Sequence, residues 1–265
     1  MTQVLDILRQ YLSAEDDGGS ISANDETLAR AICGEILVRA SMTPKAFEGL
    51  KEAGYVMLLA GAEDRMMQAI TLLLALHVSQ TSGQAARVLP RYSDIIVADV
   101  AYYVAGSSVR TEGAAGSREA FVLLNRCLDL IEAIEDDSVH FLDYTDLEGT
   151  DWSRNPLLLD TPCVKGAPLE EIREWVLAVS MDQAVEQTLP LDGRDLYAAS
   201  VNQDEPCCVL TGYPLGSRLV TFTNGRCANR EKWSRATTAA RSNNLAGDLI
   251  QIITRWCGPP DFKHI

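Results

Sequence analysis

The residues best suited to chemistry gather late in the chain: Cys163, Cys207, Cys208, Cys227, Cys257 and His264. Thiolates and imidazoles that converge in space bind zinc, and a thiol beside a base becomes a nucleophile. A finger holding two zinc ions needs eight such ligands, usually in Cys-x-x-Cys pairs, because each tetrahedral ion takes four. Six donors are present and no Cys-x-x-Cys pair occurs. Neighbouring Cys207 and Cys208 point apart in an extended chain, so at most one could serve a given ion. The expectation is neither metal nor cofactor. The histidines lie far in sequence from Cys207 and Cys208, so these read as buried or partly buried thiols and not as nucleophiles. No glycine-rich phosphate loop and no paired-carboxylate constellation stands out. What remains for the stretch around Cys207 and Cys208 is binding.

The elements that would position such a surface are legible between Pro206 and Trp256. Thr211-Gly212-Tyr213-Pro214 is a turn signal. Arg218 to Phe222 alternates polar and apolar residues as a strand does, with Val220 and Phe222 toward one face. Asn224-Gly225 is a strong hairpin signal, since both residues tolerate positive φ. Asn229 is expected to cap a helix bearing Trp233, Ala236 and Ala240. Arg241 to Asn244 is a second loop, and a last helix from Leu245 to Trp256 carries Leu249, Ile252 and Ile253 before Gly258-Pro259-Pro260 stops it. The order is loop, hairpin, helix, loop, helix.

Upstream, Val4 to Glu135 is helical in pattern throughout. Val4, Leu5, Leu8 and Leu12 share a helix face, and Leu28, Ile32, Ile36 and Leu37 another. Thr43-Pro44 starts a third helix, Pro being tolerated where no amide donor is needed. Ile70, Leu73, Leu74 and His77 mark the next, with His77 read as a satisfied core histidine. Pro90 precedes a helix from Asp94 to Val104, and Phe121, Leu124, Leu128 and Ile131 share the last face. Small residues recur where helices would touch, among them Ala53, Gly54, Ala105 and Gly106. Stacked antiparallel hairpins of the tetratricopeptide kind are expected, though no clean repeat of their length can be laid over the sequence.

Glu135 to Asp151 holds seven acids and no Lys or Arg, with Phe141, Leu142, Tyr144 and Leu147 among them. The charge pattern favours a solvated linker over its alternative, a strap lying on a neighbouring surface. Pro168 then opens a helix whose stripe, Ile172, Trp175, Val176 and Val179, is expected to pack on the segment that follows.

The chain has 265 residues, a net charge of −14 and 47% hydrophobic residues. Residues 1–150 carry 11 basic and 23 acidic groups, net −12, whereas residues 206–265 carry 8 and 3, net +5. Bulk nucleic-acid binding is not expected, yet the C-terminal segment suits an acidic partner. No apolar run reaches transmembrane length, and the start of the chain is amphipathic, unlike a signal peptide. Seven scattered cysteines suggest no disulfide framework.

The C-terminal layout resembles the U-box, the relative of the RING finger in which packing and hydrogen bonds replace zinc. Val209-Leu210-Thr211-Gly212 is similar to that family's Pro-Ile-Thr-Gly, and Glu231-Lys232-Trp233 to its acidic-basic-Trp helix pattern. A second resemblance covers more of the chain. Leu89-Pro90-Arg91-Tyr92, Ala120 to Arg126, Trp175 to Gln183, Thr211 to Pro214 and Arg255-Trp256-Cys257-Gly258 resemble the C-terminal end of the intraflagellar transport protein 172 family, a peripheral subunit of the ciliary IFT-B train.

These resemblances imply a mainly α protein: a solenoid of tetratricopeptide-like hairpins over 1–135, an acidic linker over 136–167, and over 168–265 a leading helix with a small metal-free U-box-like α+β domain. They imply a setting in the cilium or flagellum and the cytoplasm, and a non-catalytic adaptor that binds other transport subunits and whose C-terminal domain docks ubiquitin or other protein partners. The alternative is a weak U-box-type ubiquitin ligase that recruits a ubiquitin-conjugating enzyme. Such a ligase has no nucleophile and works by positioning. Carried over, its partner-binding surface would be Val209, Leu210, Thr211, Tyr213, Pro214, Trp233, Arg241, Asn243 and Asn244, with Arg241 or Asn243 placed to lock a donor ubiquitin. The family's second-loop proline is absent, since the loop reads Ser242-Asn243-Asn244. Leu210 and Trp233 serve equally well as core residues of a small domain. A purely structural end-cap is therefore a third reading.

Overall fold

The computed structural model describes residues 46–59, 64–78, 82–148, 150–182, 188–189 and 206–261. The helices expected over 4–12 and 28–37, and the Thr43-Pro44 start, lie outside them. The described chain is mainly helical, with one small sheet. Its contacts form two units, 1–82 with 207–265 and 83–206. This grouping follows packing and differs from the composition boundaries at 135 and 167.

In the first unit, α1 (Ala46–Leu59) and α2 (Asp64–Ala75) pack on each other and on α8 (Asn244–Cys257). Asp64 stands in the first turn of α2, where an acid complements the helix dipole. The apolar face of α2, including Met67, Ile70, Leu73 and Leu74, is buried, as are Leu249, Ile252 and Ile253 of α8. Gly54 lets the helices approach: a Cβ there would lie 3.3 Å from Ile70 Cγ2 and 3.4 Å from Ile252 Cδ1.

Between α2 and α8 in sequence, β1 (Leu219–Phe222) pairs antiparallel with β2 (Cys227–Asn229), and α7 (Arg230–Ala239) follows. Gly225 takes φ +87° in the hairpin turn, and its N–H donates to Phe222 O at 2.9 Å. Val220 and Phe222 face the core, as the alternation requires. A third strand, β3 (Pro260–Asp261), pairs with the other edge of β1. It follows Gly258, where φ is +79° and a Cβ would collide with Thr223 Oγ1 at 2.0 Å. Only glycine fits that turn-back.

In the second unit, α3 (Ser82–Val88) runs into a 3₁₀ turn, Leu89–Tyr92, and α4 (Ala98–Arg110) forms a hairpin with α5 (Ser117–Glu135). At Gly106 a Cβ would sit 2.7 Å from Leu124 Cδ2 and 3.1 Å from Leu123 Cβ, so this glycine sets the approach of α4 to α5. Phe121, Leu124 and Ile131 are buried there, while Leu128 is half-buried.

The acidic stretch is not the solvated linker that its charge pattern favours. Leu147, Trp152 and Val164 are buried, and Trp152 meets Tyr102 edge-on with ring centres 5.8 Å apart. Leu157 donates to Ser93 O at 2.7 Å and accepts from Ala98 N at 2.9 Å. Arg126 donates to Asp143 O at 2.6 Å and lies 4.5 Å over the Tyr144 ring. Arg91 pairs with Asp151 at 2.5 Å, and the Asp99 carboxylate accepts from the N–H groups of Cys163 and Val164 at 2.7 and 3.0 Å. Among the residues threaded between the acids, Leu147 is buried and Leu142 and Tyr144 are half-buried, while the acids themselves mostly face water.

Helix α6 (Ala167–Ser180) follows with Pro at its start. Its Leu169, Ile172 and Val176 are buried, and the helix packs on α5. Arg110 secures it, pairing with Glu171 at 3.0 Å and lying 5.4 Å over the Trp175 ring.

Candidate functional site

The expected binding surface is built on a first loop, Cys207 to Pro214, tightened by short backbone bonds. Gly212 N donates to Cys208 O at 2.7 Å, Thr211 N to the same oxygen at 3.2 Å, and Cys208 N to Tyr213 O at 2.8 Å. Gly212 takes φ +67°, which its type permits without strain. Val209 N donates to Cys227 O at 3.0 Å, tying the loop to β2. The Val209 carbonyl turns inward and accepts from Gln68 Nε2 at 3.0 Å and from Thr71 Oγ1 at 3.5 Å.

That geometry divides the expected site residues. Val209, Leu210 and Thr211 are 2%, 0% and 1% exposed. Trp233 is 6% exposed and meets Phe222 edge-on, centres 5.0 Å apart at 88°. These four belong to the core. Tyr213 and Pro214 are half-buried, and Arg241 and Asn244 are exposed. Asn243 is half-buried, and its side-chain oxygen caps α8, accepting from Leu245 N at 2.9 Å and Ala246 N at 3.4 Å. Its carboxamide oxygen thus has a structural task already.

Asn229, expected to cap α7, makes no side-chain cap bond there. Its Oδ1 accepts from Gly216 N at 2.7 Å and its Nδ2 donates to Pro214 O at 3.2 Å. It braces the end of the first loop by pairing backbone groups of Pro214 and Gly216.

Three supporting residues escaped the sequence reading. Gln68 and Thr71 sit within the apolar face of α2, 4% and 0% exposed. Their spacing of three on an otherwise apolar face was the available sign, because buried polar groups require partners. Asp64 forms an ion pair with Arg226 and accepts from Trp256 Nε1 at 3.4 Å, while Arg226 lies 4.9 Å over the Trp256 ring.

The thiols are set back from solvent. Cys208 and Cys257 are buried, and Cys207 and Cys227 are half-buried. Burial pushes the Cys257 thiol up to about 12, with the Arg226 charge opposing weakly. His77 lies in the turn after α2, half-buried, with its pKa lowered by that burial. Among the described residues no three His, Cys, Asp or Glu side chains group as a metal site would need, and no helix is long and apolar enough to cross a membrane.

No protein-family model matches the chain. Similarity to individual proteins is extensive. An intraflagellar transport protein 172 homolog of Drosophila melanogaster is 39% identical over 180 residues, covering 66% of this chain and 10% of that protein. The mouse homolog is 36% identical over 195 residues, covering 69% and 11%. Intraflagellar transport protein osm-1 of Caenorhabditis elegans is 33% identical over 178 residues, covering 65% and 10%. The chain spans about a tenth of the length of these curated relatives. Their kinship gives it a ciliary or flagellar setting. Over about two thirds of its length, this chain is a homologue of the intraflagellar transport protein 172 family.

Proposed function

We propose that the chain serves intraflagellar transport as a non-catalytic docking piece, with a U-box-like C-terminal segment and tetratricopeptide-like helices before it. Its partners on this reading are other intraflagellar transport subunits and ubiquitin. The observation that carries the non-catalytic half is the burial of Leu210 and Trp233. In a U-box ligase the aliphatic first-loop residue and the helix aromatic must be presented to the conjugating enzyme. Here both are committed to the core, and the second-loop proline is missing. Tyr213, Pro214, Arg241 and Asn244 keep accessible surface for a partner.

The test is binding by the purified full chain. Isotope-labelled chain titrated with ubiquitin should show shifts confined to the two loops, and immobilised chain should retain other IFT-B subunits from a purified mixture. Binding in neither experiment would leave the end-cap reading, which the same burial of Leu210 and Trp233 also favours.

A further inference from the structure

The exposed face of α7 carries cationic groups that nothing in the described structure neutralises. Arg218, Arg230 and Arg241 are exposed and make no ion pair. From Pro206 to Gly247 the one acidic residue is Glu231, and it is paired with Arg235. At 100° per residue Arg230, Ser234 and Arg241 fall within roughly 40° of a single line along the helix. Ala240 keeps helical dihedrals at φ −60° and ψ −19°, which continues that line toward Arg241. Arg218 joins its start, since the backbone oxygen of Arg218 accepts from Arg230 N at 2.9 Å. Ser234 lies between the two arginines and is exposed. Trp233 and Ala236 hold another face of α7 in the core, so the stripe is held in place by packing.

We propose that this stripe docks an acidic segment of a partner protein. The inference rests on the docking reading and names the chemistry of one partner. At 1.5 Å per residue, Arg230 and Arg241 stand about 16 Å apart along the helix, a span that about five residues of extended peptide cover. Two carboxylates some five positions apart on such a peptide meet both guanidinium groups, each able to take a carboxylate in bidentate fashion. Nucleic acid fits less well: Trp233, the aromatic of this helix, is buried and offers no stacking platform. The net charge of −14 also opposes a long polyanion. A membrane surface fits less well too, because the stripe carries no apolar side chain to insert.

The experiment is fluorescence anisotropy of the full chain with a labelled glutamate-rich decapeptide. The expected result is saturable binding that weakens as salt rises and falls by about fivefold or more in Arg230→Glu/Arg241→Glu, in line with lost charge pairs. Arg154→Glu, an exposed charge change in the second unit, should leave binding near that of the parent. The milder Arg218→Gln/Arg230→Gln/Arg241→Gln variant repeats the test should the double reversal disturb folding. Equal loss in the Arg154 variant, no loss in the stripe variants, or tighter binding to oligothymidylate or to phosphatidylserine vesicles than to the peptide overturns the proposal. Peptide binding without ubiquitin binding, or the reverse, separates this inference from the broader docking reading.

Discussion

Gln68 donates its carboxamide N–H to the carbonyl oxygen of Val209 at 3.0 Å, joining residues 141 positions apart. The bond lies in the core, and Thr71 approaches the same oxygen at 3.5 Å. A helix far upstream thereby completes the first loop of the C-terminal segment. With Asp64 holding Arg226 and Trp256, and Lys51 paired with Asp248 at 3.1 Å, α1 and α2 are integral to that segment's stability.

Gln68→Ala leaves a buried carbonyl short of a partner, which costs about 1–3 kcal/mol. Urea denaturation should show a lowered midpoint with an unchanged slope. The first-loop amides should also exchange faster with solvent.

Leu210 and Trp233 are core residues, so truncating them acts on stability first. Leu210→Ala should cost about 2–5 kcal/mol and Trp233→Ala about 3–5 kcal/mol, the usual scale for emptied core positions. Thermal unfolding checks both. Midpoints equal to the parent's would mean that the two side chains stand free for a partner.

At Gly106 the two helices of the second unit meet with no room for a side chain. Gly106→Val should destabilise by about 1–3 kcal/mol through forced rearrangement around Leu124. Ala101→Gly is a useful contrast, since it shortens a side chain on the same helix instead of adding one. Calorimetry on the full chain would separate the two effects.

Thiol chemistry should follow burial. Cys257 keeps its proton to about 12 when folded, whereas the ordinary value is 9.0. In the native chain at pH 9–10, iodoacetamide should therefore modify half-buried Cys207 and Cys227 before Cys257, as peptide mass mapping would show. The sign of the linkage follows from the raised pKa. The stabilising contribution is complete below about 9 and is lost as pH climbs from there toward 12, because the unfolded state releases the proton first.

Local elements were the ones that the sequence made legible. Asn224-Gly225 marked the hairpin because the turn demands a positive φ, which Gly225 supplies at +87°. The α8 stripe of Leu249, Ile252 and Ile253 was readable because helical spacing is a short-range pattern. Long-range choices were not. Pro260–Asp261 has no strand signature and pairs because Gly258 redirects it to the free edge of β1. The acids of 135–151 hid a strap whose anchors include Leu147 among them, then Trp152 and Val164 beyond. Asn229 was a correct cap position by spacing, yet its side chain reached Pro214 and Gly216 instead. Site residues suffered in the same way: Leu210 and Trp233 are apolar types equally suited to core and groove, and only tertiary burial decides between them.

The central claim is docking without ligase activity, and discharge of ubiquitin from charged conjugating enzymes onto free lysine tests it most directly. The full chain, added across a panel of such enzymes, should leave the discharge rate at its intrinsic value. Reproducible acceleration by the parent chain, abolished by changing Tyr213, Pro214 or Arg241 on the accessible loops, would contradict it.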